Sequence, residues 1–188
     1  MKNNIVKLGG ILCLISAVAG GVLAFTSDFT KDKIAEAELK ASMDPAVLEV
    51  VMPGSTMFEP YEDPALVESI KSENGKFLDL YVAVDDSGNQ LGYVVKTLST
   101  VAGYGGDMEL FVGITDGKLS GMSVLAHSET SGLGSRTTEP DYWNQFVGKD
   151  AAEEIVDYDA ISGVTKSSVS FTSAVNNAIS VYSQYLNK

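Results

Sequence analysis

Hydrophobic positions along the chain change rhythm three times. Residues 8–25 (LGGILCLISAVAGGVLAF) form an unbroken run of 18 residues without a charge, the lower edge of what a helix needs to cross a bilayer core of about 30 Å. Ile5, Val6 and Thr26 extend it. The pattern therefore predicts an N-terminal transmembrane helix, with a cleaved signal peptide as the alternative reading, since Ala17-Val18-Ala19 offers small residues for processing. Residues 30–51 then space Ile34, Ala35 and Leu39 among charges and predict a helix, broken at Pro45. Pro53, Gly54, Pro60 and Pro64 predict irregular chain over residues 53–64.

From Phe77 the rhythm is that of strands. FLDLYVAV at 77–84 and a second run at 91–96 flank the turn cluster DDSGN, which predicts a hairpin. Runs at 108–114 and 119–126 repeat it around Thr115-Asp116-Gly117-Lys118. Two hairpins imply an antiparallel sheet of at least four strands. Between Ser167 and Leu186 the period lengthens to that of a helix, with Phe171, Ala174, Val175, Ala178, Ile179 and Tyr182 on one face. An antiparallel sheet with helices before and after it is α+β. The expected division is an N-terminal segment with its anchor at 1–28, a stalk and linker at 29–65, and a globular domain at 66–188.

Charge narrows the function. Thirteen Lys and Arg against 25 Asp and Glu give a formal net charge of -12, which repels the nucleic-acid backbone and excludes that class of partner. A membrane attachment must be apolar, not a basic patch. Lys2 and Lys7 precede the apolar run and Lys31 and Lys33 follow it. From this near balance the N-terminus is assigned to the cytoplasm and the bulk of the chain to the outside. One cysteine, Cys13, and one histidine, His127, leave no internal disulfide and no thiolate metal site to be built.

Three segments are candidates for chemistry. Asp159-Ala-Ile-Ser-Gly-Val-Thr165 is a glycine-bearing turn just before the last helix. There, over Ser162 to Lys166, unpaired N–H groups and the positive dipole end would seat a phosphate, with Gly163 admitting it and Thr165 offering a hydroxyl. The plain alternative is an ordinary cap by Ser162, Thr165 or Ser167. His127 to Arg136 (HSETSGLGSR) follows a strand, and Gly132 and Gly134 keep its backbone bare. His127 and Glu129 read either as an acid/base pair or as surface residues. AGYGG at 102–106 reads as a sharp bend or as the wall of a pocket. Trp143 is expected to pack in a short helix.

Taken in order, AGYGG, HSETSGLGS and DAISGVTKSS before a closing amphipathic helix resemble the FMN-binding domain family of the G subunit of Rnf electron-transport complexes. The C subunit of the sodium-translocating NADH:quinone reductase is similar, and the resemblance spans the whole chain, anchor included. In that family D-x-x-S/T-G-A-T carries FMN as a phosphoester on its last threonine, placed there by a flavin transferase that takes it from FAD. The resemblance implies Thr165 as the acceptor, with Asp159, Ser162 and Gly163 matching and Val164 standing where alanine is usual. It also implies that Glu129, Thr130, Gly132, Leu133 and Gly134 take part in cofactor binding, Ser131 replacing the usual proline, and it adds Tyr104 and Gly105.

The resemblance implies an electron carrier outside the cytoplasmic membrane, partnered by the other membrane subunits of an Rnf-type ferredoxin:NAD oxidoreductase. The ring does the redox work and the protein holds it. The tether keeps it from diffusing away. Without a G-x-G-x-x-G after a strand, the chain is not expected to bind NAD itself. The rival readings are a free-standing exported FMN domain with other partners and a non-redox binding protein.

Overall fold

The computed structural model describes residues 7–22, Thr26 and residues 43–187. The chain divides into two compact units, Met1–Ser42 and Met43–Lys188.

In the first unit, residues 7–22 form helix α1, exposed throughout. The Thr26 hydroxyl donates to the Val22 carbonyl at 2.8 Å. Among the described residues no helix is long and apolar enough to cross a membrane. The apolar run of 8–25 reaches past the described helix, with residues 23–25 outside the described set. The helix expected from residue 30 falls outside it as far as residue 42.

The second unit takes in residues 43–65, which the sequence pattern assigns partly to a linker. Two short helices arise there from one local signal used twice. Asp44 precedes Pro45 and caps α2 (Pro45–Val51), accepting from the Ala46 N–H at 2.9 Å. Asp63 precedes Pro64 and caps α3 (Pro64–Glu73), accepting from Ala65 and Leu66 at 3.0 and 3.1 Å. Proline at the first helical position gives up an N–H that has no partner anyway, so Pro45 starts a helix where a break was expected. Between them Met57–Pro60 is strand β1, not irregular chain. It lies at the sheet edge, pairing Met57 with Val84 and Pro60 with Tyr81, and an edge strand tolerates proline.

The remaining strands are β2 (Phe77–Val84), β3 (Gln90–Leu98), β4 (Glu109–Thr115) and β5 (Lys118–Ala126). They form a five-stranded antiparallel meander in the order β1-β2-β3-β4-β5. The β2–β3 turn is organised by the Asp85 carboxylate, which accepts from Ser87, from the Asn89 N–H and from the Asn89 amide. The side-chain bond from Asn89, with backbone donors behind it, lowers the pKa of Asp85. At the β4–β5 turn Asp116 and Gly117 both have positive φ, 49° and 74°, the geometry that a tight hairpin needs.

Both faces of the sheet are covered. Leu110, Val112 and Ile114 of β4 point into the larger core with Val95, Leu80 and the apolar face of α5 (Thr165–Val181), whereas Phe111 points into a smaller core with Leu48, Val51 and Phe58. This is the period of two that a strand imposes. α2 approaches the sheet so closely that a Cβ on Gly121 would strike the Val50 carbonyl oxygen, and one on Gly113 the Val51 carbonyl oxygen. Gly113 and Gly121 face each other across β4 and β5, so two paired glycines make the slot in which α2 ends.

α5 is tied to the sheet by more than apolar contact. Asn177, 6% exposed, accepts from the Asn74 amide at 2.8 Å and donates to the Thr97 hydroxyl at 2.5 Å. A stretch of 3-10 helix at Gly134–Thr138, the short α4 (Pro140–Trp143) and a second 3-10 turn at Asn144–Phe146 cross the gap between β5 and α5. Trp143 is buried. Phe146 and Phe171 stack at 5.7 Å, and Tyr142 meets Phe171 edge-on at 5.4 Å. This aromatic knot fixes the start of α5.

Candidate functional site

Three separate stretches of chain reach the N-terminal end of α5. The first is the loop between β3 and β4. It is closed by Ser99, whose N–H donates to the Met108 carbonyl at 2.9 Å and whose Oγ accepts from the Met108 N–H at 3.0 Å. Within it the Gly103 N–H donates to the Gly106 carbonyl at 2.6 Å. The Val101 N–H donates to Ser173 Oγ at 3.1 Å, which fastens the loop to α5. The second is the loop after β5, where Leu133 and Ser135 both donate to the Thr130 carbonyl around Gly132, φ +74°. The third is the turn into α5, where Gly163 has φ +76°.

Glu129 joins the three. The residue is 8% exposed, and its two carboxylate oxygens divide their work: Oε1 accepts from the Gly105 N–H at 3.1 Å and Oε2 from the Ser167 hydroxyl at 2.7 Å. A buried carboxylate is tolerable only when its acceptor capacity is met. The glycines around it leave the space. A Cβ on Gly103 would collide with Glu129 Oε1, one on Gly134 with Oε2 and with Ser167 Oγ, and one on Gly105 with the Ser128 carbonyl. The sequence pattern allowed Glu129 a surface place or a pairing with His127. Instead it is buried, and the exposed His127 turns its Nδ1 to accept from the Glu129 backbone N–H at 3.2 Å.

Above this pin lies a cleft of about 480 Å³ lined by Tyr104, Glu129, Thr130, Leu133, Gly134, Gly163, Val164, Lys166 and Ser167. That volume is in the usual range for a small-molecule site. Tyr104 is 79% and Leu133 57% exposed, large apolar surfaces left open at its edge. Of the residues singled out from the sequence, Gly105 reaches the cleft through its bond to Glu129, and Gly132 shapes the turn beside Leu133. Asp159 and Ser162 line a neighbouring cleft of about 380 Å³ with Arg136, Glu139, Tyr142 and Gln145. There Gln145 Oε1 accepts from the Asp159 N–H at 2.7 Å, and burial raises the pKa of Tyr142. Lys166 ends the phosphate seat expected from the sequence and Ser167 is one of its candidate caps; both also line this cleft. Their neighbours in space are far away in sequence, so only the fold reveals them.

Thr165 is the first residue of α5, and both it and Lys166 are exposed. The cap position is Val164, 6% exposed, and no side chain caps the helix. The ordinary cap expected from Ser162, Thr165 or Ser167 is therefore not made. Ser168 instead accepts from the Ile161 N–H and donates to the Val164 carbonyl, both at 3.1 Å, and Ser167 is spent on Glu129. The first N–H groups of the helix stay available to an anion, beside an accessible hydroxyl.

An antiparallel meander with helices on both faces, whose last helix opens onto a glycine-lined cleft, defines an α+β ligand-binding domain. The family model described as FMN-binding domain matches residues 103–180, a stretch that takes in part of the first loop and the whole of the other two, and the RnfG N-terminal region matches residues 1–44. The G subunit of the Na(+)-translocating ferredoxin:NAD(+) oxidoreductase complex of Acetobacterium woodii is 37% identical over 94% of this chain and 90% of its own length. The G subunit of the ion-translocating oxidoreductase complex of Methanosarcina acetivorans is 31% identical over 95% and 94%. The chain belongs to the family formed by the G subunits of ion-translocating oxidoreductase complexes. Among solved structures, the C subunit of the Na(+)-translocating NADH-quinone reductase of Parabacteroides distasonis aligns at 22% identity with a TM-score of 0.49, over 65% of this chain and 68% of that one.

Proposed function

We propose that this chain is the FMN-bearing electron carrier of an ion-translocating, Rnf-type ferredoxin:NAD oxidoreductase, with FMN held as a phosphoester on Thr165. The observation that carries the reading is the convergence of the three loops on one cleft beside the exposed Thr165. The residues present fit the group. Uncapped N–H groups at the start of α5 suit its phosphate. Gly163 presents bare backbone to open space at the cleft wall, and Tyr104 and Leu133 supply apolar surface for a flat ring to lie against. Gly163, Val164, Gly134 and Thr130 line the cleft, and Gly105 and Gly132 shape its loops. Asp159 and Ser162 stand on the other side of the acceptor turn, where a flavin transferase would grip the segment.

Attachment forms a bond between Thr165 Oγ1 and the FMN phosphorus of FAD, with AMP as the leaving group. FMN then supplies the redox chemistry by taking up and releasing electrons. The chain's own part is to position. Glu129 fixes the loops before the cofactor arrives, the start of α5 neutralises phosphate charge, and Leu133 and Tyr104 keep water off the ring. Residues 8–25 serve as the membrane anchor, with the N-terminus cytoplasmic and the flavin domain, within residues 66–188, outside. The other subunits of the complex are its partners. A denaturing gel tests the reading: after co-expression with a flavin transferase, the band should fluoresce under ultraviolet light, and Thr165→Ala should be dark. A dark wild-type band beside a transferase shown to be active contradicts it.

A further inference from the structure

Charge in the cleft is distributed unevenly, and one of its two charged side chains is already committed. Of the nine residues that line it, Glu129 is the one carboxylate and Lys166 the one lysine or arginine. The carboxylate of Glu129 is occupied on both oxygens by Gly105 and Ser167. Lys166 is different. It sits in the first turn of α5, exposed, and forms no salt bridge among the described residues, although the chain as a whole carries a net charge of -12. Placing a cation in the first turn of a helix works against the macrodipole, so the position is not explained by stability of the helix.

From this we infer that Lys166 sets the reduction potential of the flavin, as the uncommitted positive charge facing the cleft in which a bound ring gains negative charge. The inference rests on the FMN reading given above. Two electrons from a reductant and one proton from solvent convert the neutral oxidised ring into an anionic reduced ring, with no bond to the protein made or broken. A cation beside it favours the anion. Lys166 lines the same cleft of about 480 Å³ as Tyr104 and Leu133, and a charge acts on a ring that lies within the screening distance of ~10 Å at 0.1 M salt. Glu129, buried and fixed, opposes that effect, which leaves Lys166 as the residue whose exchange tunes the potential without breaking a salt bridge among the described residues.

The test is a spectroscopic redox titration of the full-length, flavin-loaded protein, with intact mass confirming the flavin on each variant. Lys166→Gln should weaken the preference for the reduced anion about tenfold, a fall of about 30 mV for a two-electron couple, and Lys166→Arg should restore it. If Lys166→Gln takes up no flavin, loaded wild type and loaded Lys166→Arg are both acetylated after loading. Wild type should then lose potential relative to the arginine variant, whose charge at 166 survives. A Lys166→Gln potential equal to wild type overturns the inference, as does an equal response of the two proteins to acetylation, and either leaves the FMN reading standing. Absence of flavin from the wild type overturns the FMN reading itself, and the inference with it.

Discussion

Replacing Glu129 by alanine removes the one side chain that touches all three loops, and the structure sets the size of the effect. Two hydrogen bonds to a charged acceptor are lost, each contributing about 1.5–3 kcal/mol. Gly105 is exposed, so its N–H regains water, whereas Ser167, 2% exposed, keeps a stranded hydroxyl worth about 1–3 kcal/mol. Removing the carboxylate also removes the cost of burying it, which keeps the total below the sum of its bonds. The expected loss is about 2–4 kcal/mol, or a fall in Tm of about 5–15 °C for a domain of this size. Urea denaturation of Glu129→Ala, Ser167→Ala and the double variant measures it. The pair should couple by about 1 kcal/mol or more. Glu129→Gln keeps one acceptor and should lose less. A Glu129→Ala variant as stable as wild type, or strict additivity with Ser167→Ala, would refute the idea that this carboxylate assembles the cleft.

Other perturbations separate the fold from the site. Gly121→Ala should cost about 1–3 kcal/mol by overpacking, because its Cβ meets the Val50 carbonyl oxygen, a backbone atom; a neutral result in urea denaturation would mean that α2 does not rest on the sheet. Burial, and then the negative charge of Asp79, raise the pKa of Tyr81, and burial raises that of Tyr142. A folded-state pKa above the unfolded one gives stability that is whole below about pH 10 and is lost as pH rises through the folded values. Thermal midpoints should therefore fall in strong alkali, and less steeply for Tyr81→Phe; parallel curves for the two proteins would contradict the assignment. Leu133→Ala and Tyr104→Ala, at exposed positions, should leave stability within about 0.5 kcal/mol while altering the flavin absorption spectrum of the loaded protein. Spectra identical to wild type would remove those side chains from the cofactor.

The strands from Phe77 to Ala126 were legible because alternation and turn chemistry act over a few residues, and both hairpins stand close to where those patterns put them. The final helix was legible for the same reason, although its last turn, Tyr182–Leu186, is a π turn that periodicity does not distinguish. β1 escaped because three prolines in twelve residues read as irregular chain, and α3 begins at the last of them. Yet Asp44-Pro45-Ala46 and Asp63-Pro64-Ala65 repeat one helix-start signal that could have been found. The candidate site was legible as three motifs, and their meeting is a property of the fold alone. Nothing local to Glu129 reveals that it is buried, or that Ser167, thirty-eight positions later, donates to it. Lys166 was legible as the end of a phosphate seat, but that it shares a cleft with Tyr104 and Leu133 follows from the fold alone.

Intact mass of the protein purified under denaturing conditions from cells that express a flavin transferase, followed by tryptic mapping, tests the central claim most directly. Cleavage after Lys149 and Lys166 releases a peptide that holds both Ser162 and Thr165, and fragmentation distinguishes them. The expected result is an added mass of FMN less water, located on Thr165 and lost in Thr165→Ala. An unmodified mass beside an active transferase, or a flavin located on another residue, would contradict it.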